Sequence, residues 1–112
     1  MHPSVEMLAQ ELARQVNEQL RRFDESMASQ AARANWLAGQ ASVLEVGECR
    51  VALRSMLRSE LASLCIGIGN ALDGATGLSD FGQPLFLADR SGGLIREGIS
   101  SGIADYFDDH VF

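Results

Sequence analysis

An apolar stripe runs through the first quarter of the chain and constrains the fold more than any other feature. It consists of Val5, Leu8, Leu12, Val16, Leu20, Phe23 and Met27. The steps between these residues are close to the 3.6-residue period of an α-helix, so the side chains share one helical face. The stripe predicts a long amphipathic helix over residues 4–38. Its apolar face must be covered by other helices, either of this chain or of a partner.

Start and stop signals predict two further helices. Ser42 and Glu45 have the spacing of a capping box, and helical apolar periodicity follows them, so a second helix is predicted over residues 42–72. Its apolar band is wider than that of the first helix, which predicts that it is the more buried of the two. A loop over residues 74–92 precedes a third helix over residues 93–108, which carries Asp105, Asp108 and Asp109 near its end. The helix dipole disfavours negative charge there, so a basic group of a neighbouring helix or subunit is expected nearby.

These elements predict an all-α fold, a long antiparallel helical hairpin followed by a C-terminal helix. A chain of 112 residues has the length of a single domain. Helices joined by a short connection lie antiparallel. Because a two-helix hairpin leaves apolar flanks uncovered, we expect the third helix to pack on it and the chain to form a dimeric bundle.

Charge and hydropathy narrow the class of partner. The net charge of −6 argues against direct contact with nucleic acid or an anionic membrane surface. It favours a basic protein surface as partner, although it also serves solubility.

Charged residues interrupt every apolar segment before the ~20 residues of a membrane span, and Glu6 and Glu11 lie where a secretion signal would be apolar. These features, together with two cysteines read as reduced thiols, predict a cytoplasmic protein.

No residue pattern in the chain predicts a reaction. Gly67-Ile68-Gly69 has Leu72 where a dinucleotide-binding turn requires its third glycine. His2 and His110 lie at opposite ends, and Cys65 has no adjacent base in sequence. We therefore expect a non-enzymatic protein without a cofactor or metal.

The sequence favours a protein–protein interaction module whose first helix forms the partner or dimer interface. The expected interface consists of the seven stripe residues and Trp36, which either packs over the hairpin turn or anchors a partner. One alternative is a structural or assembly protein, such as a secretion chaperone or a phage component. A second is a small-molecule sensor with Trp36, Phe81 and Phe86 around a pocket.

The leading stripe from Val5 to Met27, the helical hairpin around Gly39, the small size and the acidic charge together resemble the small antiactivators of quorum sensing. Those proteins bind LuxR-type transcription factors. The resemblance implies transcription regulation in a bacterial cytoplasm, through a homodimeric helical protein that binds such a regulator and blocks its dimerisation or its binding to DNA. It transfers no individual functional residue to this chain.

Overall fold

A computed structural model describes residues 1–34, 44–73 and 86–112. Within these residues the protein is all-α, as predicted, with one short antiparallel hairpin. The elements in chain order are α1 (Pro3–Met27), α2 (Gln30–Ala34), α3 (Gly47–Leu72), β1 (Leu87–Ala88), β2 (Leu94–Ile95) and α4 (Ile99–His110).

The two long helices are antiparallel, and α4 completes the bundle. Asp24 near the end of α1 pairs with Arg54 near the start of α3 at 2.9 Å. At the other end of the bundle, Asp73, just after α3, bonds to the start of α4, and Gly102 of α4 lies against Val5 of α1. Thus α4 runs parallel to α1 and antiparallel to α3. The predicted hairpin with a C-terminal helix is confirmed.

The core is built from one face of α1 together with α4 and part of α3. The larger cluster of buried side chains comprises Val5, Ala9, Ala13, Val16, Leu20, Cys65, Ile95, Ile99, Ile103, Phe107 and Val111. A smaller cluster of Phe23, Met27 and Leu44 lies at the end of α1. Ala9 and Ala13 belong to the buried face of α1, whereas the larger Leu8 and Leu12 are half-buried at its edge. The core therefore lies to one side of the stripe that the large side chains mark.

The first helix is shorter than predicted. It ends at Met27, and a turn at Ala28 and Ser29 separates it from α2. Across this turn Arg33 donates to the Met27 carbonyl at 2.8 Å and pairs with Glu45 at 2.9 Å. The guanidinium thus satisfies a carbonyl that the helix end leaves without an intrahelical partner. The predicted residues 35–38 lie outside the described part of the chain.

The second helix begins later than predicted. Leu44 is buried, Glu45 and Val46 form a turn, and α3 starts at Gly47. Glu45 bonds to Arg33 across this turn. Ser42, the other half of the predicted capping box, lies outside the described residues.

The predicted third helix over residues 93–108 is wrong at its start. Leu94 and Ile95 form β2, which pairs with β1, and α4 begins only at Ile99. Gly98 adopts a left-handed conformation with φ of 76°, which interrupts a continuous helix there. The predicted loop over residues 74–92 likewise contains β1 in its described part, and residues 74–85 lie outside the description.

Two arginines of α3 reach the end of α4, where the sequence predicted a basic neighbour. Arg54 donates to the Phe112 carbonyl at 2.7 Å, and Arg58 donates to the Val111 carbonyl at 2.8 Å. Their charges lie at the negative end of the α4 dipole, where cations stabilise a helix. Asn17 of α1 adds a bond from its side chain to the His110 carbonyl at 2.8 Å.

Candidate functional site

The residues predicted to form an interface have an intramolecular role. Val5, Val16 and Leu20 are buried in the larger cluster, and Phe23 and Met27 are buried in the smaller one. Leu8 and Leu12 are half-buried and pack against the larger cluster. Trp36 lies outside the described residues. Contact of this stripe with another chain stays a prediction, and the buried members would have to leave the core to make it.

Exposed large apolar side chains include Met7 on α1 and Val51 on α3, and three others lie together on one side of α3. Met56 is 62% exposed, Leu64 63% and Ile68 41%. With neighbours at helical spacing they form a continuous strip, which we call the outer face of α3: Leu53, Met56, Leu57, Glu60, Leu64, Gly67, Ile68 and Ala71. The prediction that the second helix is the more buried one is therefore wrong, since only Cys65 and Gly69 of α3 are fully buried.

The outer face is exposed because α1 and α4 both pack on the opposite side of α3. Cys65 and Gly69 point into the bundle, and a side chain at position 69 would place its Cβ 2.7 Å from the Ser100 Cα. The crossing of α3 and α4 is therefore so close that only glycine fits. Leu53 and Leu57, at the border of the outer face, partly turn inward and contact the smaller cluster.

Gly67 lies two residues away, on the outer face, in contrasting surroundings. Apart from its own helical turns, no atom of the described residues lies within 4 Å of a Cβ built at Gly67. Its backbone is helical, so no positive φ requires glycine there. A glycine inside a helix costs roughly 1 kcal/mol of helix stability relative to alanine, and no close packing against the described residues requires glycine here.

The outer face carries one charged residue, Glu60. The arginines of α3 are engaged elsewhere: Arg50 donates to the Leu44 carbonyl, Arg54 to Asp24, and Arg58 to the Val111 carbonyl. An apolar strip with so little charge is unusual on a solvated helix, because the polar side of such a helix is normally rich in charged residues. Exposed apolar strips of this kind are typical of contact surfaces.

The side chains considered for chemistry have structural partners. His2 caps α1, its Nδ1 accepting the Ser4 N–H at 3.0 Å. His110 stacks on Tyr106 with ring centroids 3.8 Å apart, and its Nδ1 lies 2.8 Å from the Tyr106 carbonyl oxygen. Burial raises the pKa of the Cys65 thiol, which lowers its thiolate fraction at neutral pH. Gly67-Ile68-Gly69 is helical rather than a phosphate-binding turn.

The described residues contain neither a cluster of metal-ligating side chains nor a membrane-spanning helix. Among them, no group of three His, Cys, Asp or Glu side chains lies close enough to hold a metal ion. No helix in these parts of the chain is long and apolar enough to cross a membrane. Of the aromatic residues predicted to line a sensor pocket, Phe86 is described: it is exposed, and the Arg96 guanidinium lies 5.0 Å from its ring centroid. Trp36 and Phe81 lie outside the described residues.

Comparison with known protein families, curated proteins and solved structures finds no match to this chain.

Sequence reasoning missed the outer face because α3 is apolar on most of its circumference. The inward residues Leu61 and Ile66 and the outward residues Leu64 and Ile68 alternate along the helix. Periodicity alone cannot assign such a helix a single buried face. Gly47, Gly67 and Gly69 all lie inside the predicted helix, and the sequence alone does not distinguish Gly69, which faces the core, from Gly67, which does not.

Proposed function

We propose that the protein is a non-enzymatic protein–protein interaction module and that the outer face of α3 is its contact surface. The observation that carries the proposal is the exposure of Met56, Leu64 and Ile68 on one strip of a helix whose opposite side forms the core. Covering that strip with apolar groups of another helix would remove it from water, at roughly 25 cal/mol for each Å² buried. Helix-in-groove recognition uses anchors at this spacing.

The partner that fits best is a transcription factor, bound in the manner of an antiactivator in the cytoplasm. Support comes from charge: the chain carries −6, and a DNA-binding protein displays a basic surface to which an acidic chain is drawn. The resemblance in size and helical layout to the antiactivators of LuxR-type regulators points to the same class of partner. Occupying the regulator would then block its dimerisation or its access to DNA.

Release of a regulator from DNA tests this function. The assay follows the fluorescence anisotropy of a labelled operator bound by a LuxR-type regulator from the same bacterium, while the protein is added. We expect wild-type protein and the control Ser59→Asp to release the DNA, because Ser59 is exposed on a different side of α3. Leu64→Asp should release it at least about tenfold less well, since a charge replaces an apolar anchor.

Two results would contradict the proposal. If wild-type protein releases no regulator, the antiactivator function is wrong. If Leu64→Asp is as effective as wild type, the function does not use the outer face of α3. Circular dichroism of each variant checks that the helices remain folded.

A further inference from the structure

We infer that the outer face of α3 docks against the same face of a second copy of the chain, with the two α3 helices antiparallel. The inference rests on the proposed role of this face as a contact surface. The second copy covers the face in the free protein, and a regulator binds to it only when the dimer separates. Two-fold symmetry requires a self-complementary surface, in which each residue meets a different residue of the other copy. The outer face has this property about an axis near position 62.

Side-chain size supplies the complementarity. The N-terminal half of the face carries the large residues Met56, Leu57 and Leu53, the last two half-buried against the smaller cluster. The C-terminal half carries the small residues Gly67 and Ala71 beside Leu64 and Ile68. In the antiparallel arrangement Leu53 meets Ala71 of the second copy, and Met56 meets Gly67. A large side chain of one copy thus packs on a small residue of the other, and the two-fold axis repeats each contact, as in knobs-into-holes packing.

Charge favours the antiparallel arrangement over a parallel one. A parallel pair in register would place Glu60 against Glu60 of the second copy and Gly67 against Gly67, which combines like charges with a void. The antiparallel pair places Glu60 beside Leu64 of the second copy, where the carboxylate can turn to the solvated edge.

The pairing also gives Gly67 a reason to be glycine. Gly69 permits the close crossing of α3 and α4 inside the bundle, and its Cβ would overlap Ser100. A Cβ at Gly67 would, by contrast, be clear of the other parts of the chain that the structure describes. In the antiparallel pair the Met56 side chain of the second copy would occupy the space that a side chain at position 67 would take.

The size of the contact predicts a reversible dimer. From Leu53 to Ala71 the face is about 27 Å long at ~1.5 Å per residue. One helix pair of this length falls at the lower end of specific protein interfaces. We therefore expect exchange between monomer and dimer. Because the interface is apolar and each chain carries −6, added salt should strengthen the dimer by screening the repulsion.

Sedimentation equilibrium of the purified protein tests the pairing. Wild type and Ser59→Asp should show the same monomer–dimer equilibrium, whereas Leu64→Asp should raise the dissociation constant at least about 100-fold, because both copies lose an anchor. Gly67→Leu should raise the dissociation constant as well, with helix content unchanged because none of the described residues crowds a Cβ at this position. The inference would be overturned if wild type stays monomeric at every protein concentration measured or forms a ring or fibre. It would also be overturned by a dimer that neither outer-face substitution weakens.

Disulfide cross-linking tests the direction of the helices. Met56→Cys and Gly67→Cys are made in separate chains, each with Cys49→Ser, so that the half-buried Cys49 does not compete. On oxidation, the antiparallel pair predicts the mixed 56–67 disulfide as the main product of the two chains together. Each chain alone should cross-link poorly, because its two cysteines would lie about 17 Å apart along the helix axes, beyond the ~7 Å limit for a disulfide. A dominant 56–56 product would overturn the antiparallel arrangement.

Failure of this inference is distinguishable from failure of the proposed function. A monomer that still releases a regulator from DNA in a Leu64-dependent way would retain the interaction role and exclude the second copy as occupant. A dimer that releases no regulator would retain the pairing and exclude the antiactivator role.

Discussion

Asp73 connects the end of one helix to the beginning of another. Its carboxylate oxygens accept the N–H groups of Ile99 and Ser100 at 3.1 and 3.0 Å. The local cap position of α4 is Gly98, which has no side chain to do this. Two backbone donors at the start of α4 therefore depend on a residue 26 and 27 positions earlier in the chain.

Removing this carboxylate should destabilise the whole chain. We expect Asp73→Ala to lower the free energy of unfolding by roughly 0.5–2 kcal/mol, as loss of a helix cap does. Asp73→Asn should lower it less, because its amide oxygen still accepts a hydrogen bond from the backbone. Urea denaturation followed by circular dichroism measures both variants, with Asp105→Ala on the exposed side of α4 as the control. If Asp73→Ala matches the control, the cap does not contribute to stability.

Two glycines on one helix should respond oppositely to the same substitution. Gly69→Ala gains helix propensity but forces a Cβ to within 2.7 Å of the Ser100 Cα, so we expect a net loss of roughly 1–3 kcal/mol. Gly67→Ala places its Cβ clear of the surrounding residues in the described ranges and should gain up to about 1 kcal/mol. Thermal and urea denaturation at protein concentrations where the chain is monomeric make the comparison. Equal effects at both positions would contradict the assigned packing.

At the scale of elements, α1 carries acid–arginine pairs on its solvated side. Glu11 pairs with Arg14, and Glu18 with Arg21, each at 2.6 Å. Hydrogen bonds from these arginines lower the pKa of Glu11 and of Glu18 to about 2. Because the folded-state pKa values lie below those of the unfolded chain, the pairs contribute stability above about pH 4.3, and that contribution is lost as the pH falls towards about 2.

The helix content of the protein should therefore fall over this acidic range. We expect the double variant Glu11→Gln and Glu18→Gln to show a flatter pH profile of circular dichroism than wild type, and high salt to flatten the wild-type profile by screening. Identical profiles for wild type and the double variant in low salt would show that these pairs do not couple protonation to folding.

Helix α1 was largely predictable from the sequence, and the burial of α3 was not. The charged side of α1 contrasts with its apolar stripe, so periodicity located the core face, although it favoured Leu8 and Leu12 over the buried alanines Ala9 and Ala13. Along α3 apolar residues face in most directions, and only the positions of α1 and α4 decide which of them are covered. Those positions depend on contacts between distant residues, such as Gly69 with Ser100, which no local pattern reveals.

The start of α4 was predicted too early in the chain, for a related reason. Leu94 and Ile95 continue the apolar spacing of the helix that follows, so periodicity assigned them to it. Their pairing with Leu87 and Ala88 depends on a turn in which Asp89 accepts the N–H groups of Ser91 and Gly93. The cap from Asp73 then fixes the first turn of α4. The strand pairing depends on a specific turn, and the cap depends on a tertiary contact. Apolar periodicity in the sequence reveals neither of them.

At the scale of the whole molecule, apolar side chains are unevenly covered. Leu20 on α1 is 1% exposed and Leu64 on α3 is 63% exposed. A charge at either position would disrupt binding in a simple assay, but for different reasons. Leu20→Asp would lose binding because the chain unfolds, whereas Leu64→Asp would lose it with the fold intact. Only the second variant reports on the proposed interface.

Replacing each of these two leucines with alanine distinguishes a core side chain from a surface one. We expect Leu20→Ala to lower the free energy of unfolding by roughly 3–5 kcal/mol, since it leaves a cavity in the larger cluster. That is a large share of the ~5–15 kcal/mol that stabilises a domain. Leu64→Ala should change stability by less than about 0.5 kcal/mol in the monomer, and it should still weaken the dimer. Urea denaturation of dilute protein, beside sedimentation of concentrated protein, separates the two quantities. Comparable destabilisation of the dilute monomer by both variants would mean that Leu64 belongs to the core of the single chain, and the outer face would then not be free for a second copy.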